Sequence, residues 1–152
     1  MNALSAVGLA LLTAVASCPR GEATRLSKPE YERRVQTLYA GIQQSFQATR
    51  DVSGSTLAEA IDRAQQALRH AADELEAVRP PADIETENQA LAEAMREYAR
   101  DLDPARRAAA AGDDEAMARF ADASTSPGVR AMAEAAEEMK RKGYELGPLG
   151  KD

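Results

Sequence analysis

The chain has 152 residues, enough for one domain with one modest core. Tryptophan is absent, there are two Phe and four Tyr, and Ala, Glu, Arg and Gln abound, which favours an all-α protein over any sheet-bearing one. The formal net charge of -6, with no clustered Lys/Arg stripe, argues against nucleic acid as a partner, because phosphate neutralisation supplies most of that affinity.

Residues 3–16 (ALSAVGLALLTAVA) form an uncharged apolar run. It is short of the roughly 20 apolar residues that a membrane-spanning helix needs, and it matches the length of the apolar part of a secretory signal. The net charge therefore resides in the remainder of the chain. The segment Val15-Ala16-Ser17-Cys18 resembles the lipobox of bacterial lipoproteins. The resemblance implies that Cys18 receives a diacylglycerol thioether and becomes the mature N-terminus, so that the protein reaches the membrane through lipid on Cys18. Two other readings of the same residues stay open. Ala14-Val15-Ala16 fits an A-x-A cleavage site that would release a secreted product starting at Ser17, and an uncleaved N-terminal helix is the third. Cys18 is the single cysteine, so no intramolecular disulfide can form. Each buried CH₂ of an acyl chain contributes about 0.8 kcal/mol, so two or three chains anchor stably where one does not.

The chain divides into a signal segment at 1–17, a tether at 18–26, a helical domain at 27–146 and an irregular tail at 147–152. The first helix is expected from Ser27 to about Arg50. Ser27 and Glu30 have capping-box spacing, and Pro29 sits where a missing N–H costs nothing. Tyr31, Val35, Leu38, Tyr39, Ile42 and Phe46 recur at helical spacing. After a turn at residues 51–55 around Gly54, Thr56 and Glu59 repeat the capping-box spacing and predict a second helix. Its stripe is Leu57, Ile61, Ala64, Leu68, Ala71, Leu75 and Val78, and Pro80-Pro81 ends it. Asp83 is the expected cap of the third helix, whose face holds Ile84, Asn88, Leu91, Met95, Tyr98 and Leu102. Pro104 kinks that helix or restarts it at Asp103, and Gly112 stops it. Asp113 caps a short helix with Met117 and Phe120 on one side. Ser126 and Pro127 open the last helix, with Val129, Met132, Ala133, Ala136 and Met139 on its face. Lys140, Arg141 and Lys142 complement the end of its dipole before Gly143. Four such stripes joined by short turns predict an up-down-up-down four-helix bundle with a short extra helix before the last one, preceded by the signal segment.

Chemistry-bearing motifs are sparse. Carboxylate-bridged di-iron bundles need two Glu-x-x-His pairs, whereas this chain has one histidine, His70, with Ala67 three residues before it. Glu74 and His70 supply two metal ligands at most. Haem attachment through Cys-x-x-Cys-His is absent, and a His70–Met pairing would draw on Met95, Met117, Met132 or Met139, which read as core fillers. No Gly-rich phosphate loop or Ser/His nucleophile pair is present, so no cofactor, metal or catalytic residue is assigned.

In layout, with leader, Cys18, short tether and helical stripes, the chain resembles the small Ala-rich helical lipoproteins of unknown function in the envelopes of GC-rich bacteria. That resemblance implies an extracytoplasmic location and says nothing about activity. The expectation is a membrane-tethered interaction or scaffolding module with an envelope protein as partner. The least regular helical segment, around Met117 and Phe120, is its expected interaction patch. The alternative is a bundle that binds a small apolar or haem-like ligand.

Overall fold

Side-chain capping sets several of the helix starts in the computed structural model, which describes residues 24–120 and 126–150. Among these residues the protein is all-helical, with no strand. The signal segment, Cys18 and the first part of the tether lie outside the described residues.

Helix α1 spans Lys28–Gln47. The Ser27 N–H donates to the Glu30 carboxylate at 2.8 Å and its hydroxyl does so at 2.5 Å, so Glu30 satisfies the helix entrance from inside. Helix α2 spans Gly54–Ala77 and begins ahead of the expected Thr56. Gly54 has φ +57, which a residue without Cβ adopts freely, and this lets the Ser53 carbonyl accept from the Leu57 N–H at 3.3 Å. Thr56 and Glu59 therefore fall inside the first turns. The third helix also differs at its start. A 3₁₀ turn at Ala82–Ile84 precedes α3 (Glu85–Asp101), and Asp83 turns away to accept from the Tyr144 hydroxyl at 2.9 Å. Pro104 restarts the helix, giving α4 at Asp103–Ala111, which Gly112 ends with φ +66. The Asp113 carboxylate accepts from Ala116 N–H at 2.9 Å and opens α5 (Asp114–Ala118). Ser126 Oγ accepts from Val129 N–H at 3.3 Å and opens α6 (Pro127–Arg141).

Helix α2 packs against α1, α3 and α4, and α3 packs against α6. The main core joins Tyr31 and Val35 of α1, Leu68 and Leu75 of α2, Leu91 and Met95 of α3, and Met132 and Met139 of α6. A second, smaller cluster joins Ala58 and Ile61 of α2 to Ala105 and Ala109 of α4. Two polar side chains are buried with their partners. Asn88 donates to the Leu75 carbonyl at 2.9 Å and accepts from the Tyr31 hydroxyl at 2.9 Å. Gln65 donates to the Ala99 carbonyl at 2.7 Å and to Asp103 at 2.9 Å. Both amides serve carbonyls in the last turn of a helix, where helical partners run out.

The chain after α6 packs back onto the bundle, and the tail expected to be irregular from residue 147 begins with a turn. Tyr144 and Leu146 are buried, and Gly147–Gly150 forms a 3₁₀ turn against α1 and α6. Tyr144 meets the Tyr31 ring edge-on at 6.0 Å, with Lys28 5.0 Å from its centroid, so an aromatic residue inserts where α1 and the end of α6 approach. The residues just before α1 are also tied down. Leu26 N–H donates to the Arg79 carbonyl at 2.8 Å, and Arg25 reaches Pro80 at 3.0 Å and Glu85 at 3.2 Å. Lys142 binds the Asp83 carbonyl and the Glu87 carboxylate. The start of α1, the end of α2, the start of α3 and the end of α6 are thus bonded together at one end of the molecule. No helix among the described residues is long and apolar enough to cross a membrane.

Candidate functional site

The opposite end is packed with smaller side chains. Where α2 meets α4, the contact is made largely by alanines around Ile61, which let the helices approach closely and present little bulk sideways. Helix α1 ends at Gln47, and its last turn carries Phe46. Phe46 stacks on Tyr98 at 5.5 Å with the rings 8° from parallel. Between this stack, the second cluster and the α5 segment lies a groove of about 680 Å³, partly open to solvent. Leu57, Ile61, Leu102, Ala105 and Met117 line it, with Phe120 at its edge. Phe120 is 39% exposed and is the one exposed large hydrophobic among the described residues. Across the Phe46–Tyr98 stack a second groove of about 500 Å³ runs past Tyr39, Ile42, Val129, Met132 and Leu149.

The polar lining of the first groove is Thr49, Arg100, Asp101, Arg119 and Ser126. Asp101 is occupied as a cap of α6, accepting from Ser126 Oγ at 2.5 Å and from Gly128 N–H at 3.0 Å. Burial, with the negative charge of Asp101 beside it, raises the Tyr98 phenol above its ordinary value and keeps it neutral. Gly128 brings α6 against α3 so closely that a Cβ there would stand 2.3 Å from the Tyr98 nitrogen. That approach holds the wall formed by Tyr98 and Pro127. Among the described residues the lining contains neither histidine nor cysteine, and its one carboxylate, Asp101, is engaged. What the arrangement offers is apolar contact area edged by guanidinium groups.

Met117 and Phe120, the expected interaction patch, both line this groove. Cys18 lies outside the described residues. His70 is exposed on α2, while Met95, Met132 and Met139 are buried in the core. Glu74, the other residue weighed as a metal ligand, is ion-paired with Arg34. Among the described residues no group of three or more His, Cys, Asp or Glu side chains is placed to hold a metal. The remaining groove walls escaped sequence reasoning. Phe46, Leu57, Ile61, Tyr98 and Leu102 read as core stripe, and nothing in their spacing shows that the stripe outruns its partners at this end. Compared with protein-family models, curated proteins and solved structures, the chain matches none.

Proposed function

We infer that the protein is a lipid-tethered interaction module of the bacterial envelope, held to the outer face of a membrane through Cys18 and binding its partner at the groove edged by Phe120. In this reading residues 1–17 are a signal peptide removed on export, and α1, α2, α3 and α6 run up-down-up-down. The observation that carries the binding half is the exposed Phe120 continuing a mainly apolar groove, since contiguous apolar surface, rather than a single side chain, marks contact sites. The helices meet over a filled core, with Leu68, Leu75, Leu91, Met95 and Met139 fully buried, which favours a surface contact over an internal ligand. The anchoring half is supported by the lipobox-like Val15-Ala16-Ser17-Cys18. Geometry makes the two halves compatible. Residues 18–24 reach at most about 25 Å, and the groove lies one α1 length, about 30 Å, from the tethered end, so it would face away from the membrane.

Intact mass and membrane fractionation of the full-length protein beside Cys18→Ala test the anchor. Acyl mass starting at Cys18 in the membrane fraction, with the variant released or unprocessed, is the expected result. Recovery of both in the medium with Ser17 first would overturn it. For the groove, Phe120→Glu should abolish partner binding with an unchanged circular dichroism spectrum, and wild-type binding by that variant removes the groove from the reading.

A further inference from the structure

The groove selects among occupants by shape and by charge. Small-molecule sites typically engulf most of their ligand's surface. This groove is only partly enclosed, so a free apolar molecule would leave part of itself in water. An amphipathic helix has one apolar face to bury and a polar back to leave in solvent.

The charge at the groove runs against the charge of the protein. The chain carries -6 overall. Among the described residues, the charged side chains lining the two adjoining grooves are Arg50, Arg100, Arg119 and Asp101. Asp101 caps α6 through Ser126 and Gly128 and keeps its negative charge, so among the described residues this lining sets three guanidinium groups against one carboxylate. Arg119 makes a single exposed pair with Glu115 at 3.3 Å, and Arg50 and Arg100 make no ion pair among the described residues. An apolar floor with a cationic edge on an acidic protein complements an occupant that is apolar in its middle and acidic at its flanks.

We propose that the groove docks an amphipathic helix of a partner protein, its apolar stripe seated along Phe46, Tyr98 and Phe120 and its acidic flanks meeting Arg50, Arg100 and Arg119. The proposal rests on the groove being a docking surface, as argued above, and names the chemistry of what docks.

The test uses the full-length protein as recovered from the expressing bacterium, in non-ionic detergent below its micelle-forming concentration. The probes are two fluorescent peptides of about 18 residues with the same leucine stripe at i, i+3, i+4 and i+7, one flanked by Glu and one by Lys. Dodecanoate carrying a fluorophore at its methyl end, an acyl chain with a free carboxylate, is the third probe. The Phe120-dependent part of binding is read by anisotropy at low salt. The Glu-flanked peptide should bind about ten-fold tighter than the Lys-flanked one, and the gap should shrink near 0.5 M salt. Phe120→Glu should lose most of that binding. The triple variant Arg50→Glu, Arg100→Glu, Arg119→Glu should reverse the preference, and Arg50→Gln, Arg100→Gln, Arg119→Gln should erase it, so the result stands on either set if one fails to fold. Equal affinity for the two peptides, or preference for the Lys-flanked one, overturns the proposal. Dodecanoate bound in a Phe120-dependent way with neither peptide bound also overturns helix docking, yet leaves the groove as a ligand surface. No Phe120-dependent binding of any probe overturns both.

Discussion

Gly128 has an ordinary negative φ, so its role comes from proximity. A Cβ at this position would meet the Tyr98 nitrogen at 2.3 Å and the Tyr98 Cα at 2.5 Å. Both are backbone atoms, so no rotamer change relieves the clash and the helices must separate. Gly128→Ala should cost about 1–3 kcal/mol, the range seen when atoms are forced into a filled contact. Equilibrium urea unfolding measures it, and a variant as stable as wild type would show that α6 is not seated on α3 here. Asn88 and Gln65 illustrate a second residue-scale device. Each is a buried amide whose partners are carbonyls at helix ends, so each costs little to bury and fixes one helix end against another.

Elements differ in how firmly they are held. Helices α2 and α3 bury residues along their length, including Ala64, Leu68, Leu75, Leu91 and Met95. Helix α5 has five residues and no buried one. Its main apolar attachment is Met117, half-buried against the Ala58–Ile61 cluster. Local opening follows buried contact, so amides of α5 should exchange with solvent far faster than those between Ala64 and Leu75. Native-state hydrogen exchange checks this, and equal protection in the two helices would contradict it. The consequence for binding is direct. Phe120 follows α5, so the groove edge is carried on the element with the least packing beneath it and can adjust to what it meets.

At the scale of the molecule, the bonded end concentrates the groups with displaced titration. Burial, reinforced by the hydrogen bond and charge of Asp83, pushes the Tyr144 phenol up to about 12, and burial raises Tyr31 still further. A phenol whose folded pKa lies above its unfolded value of 10.0 favours the fold while it is neutral. That contribution is complete below pH 10 and is lost as pH rises from about 10 to about 12. Glu87 is lowered by its hydrogen bond from Lys142, and Asp103 by its bond from Gln65. Their contributions are present above the ordinary carboxylate values of 4.5 and 3.8 and fade as pH falls through them. Melting temperature should therefore hold a plateau between about pH 5 and pH 9.5 and fall on both sides. In an alkaline titration, the share of tyrosinate absorbance at 295 nm that belongs to Tyr31 and Tyr144 should appear only together with loss of helical dichroism. Ionisation of all four tyrosines near pH 10 with the fold intact would refute the burial of Tyr31 and Tyr144.

Much of the secondary structure follows from local chemistry that the sequence displays. Ser27 with Glu30, Pro104 after Asp103, Asp113, and Ser126 with Pro127 each act within about one turn of their own position, and each opens a helix where its spacing indicates. Helical periodicity likewise determines the apolar faces, because a stripe at 3.6 residues is a property of one segment. The exceptions are instructive. Helix α2 starts at Gly54 because a glycine could take φ +57, and Asp83 leaves its expected capping role because Tyr144, 61 residues away, offers a better partner. The tail is drawn into the core for the same long-range reason, since Tyr144 and Leu146 find apolar neighbours that no local pattern reveals. The groove belongs wholly to this second category. Met117 and Phe120 stand out in the sequence as apolar residues on a short helix, but a groove is a place where partners are missing. Whether Phe46, Tyr98 and Ile61 are covered depends on where α1 stops, how closely the alanines of α2 and α4 approach, and how Gly128 seats α6, and only the tertiary structure brings those three together.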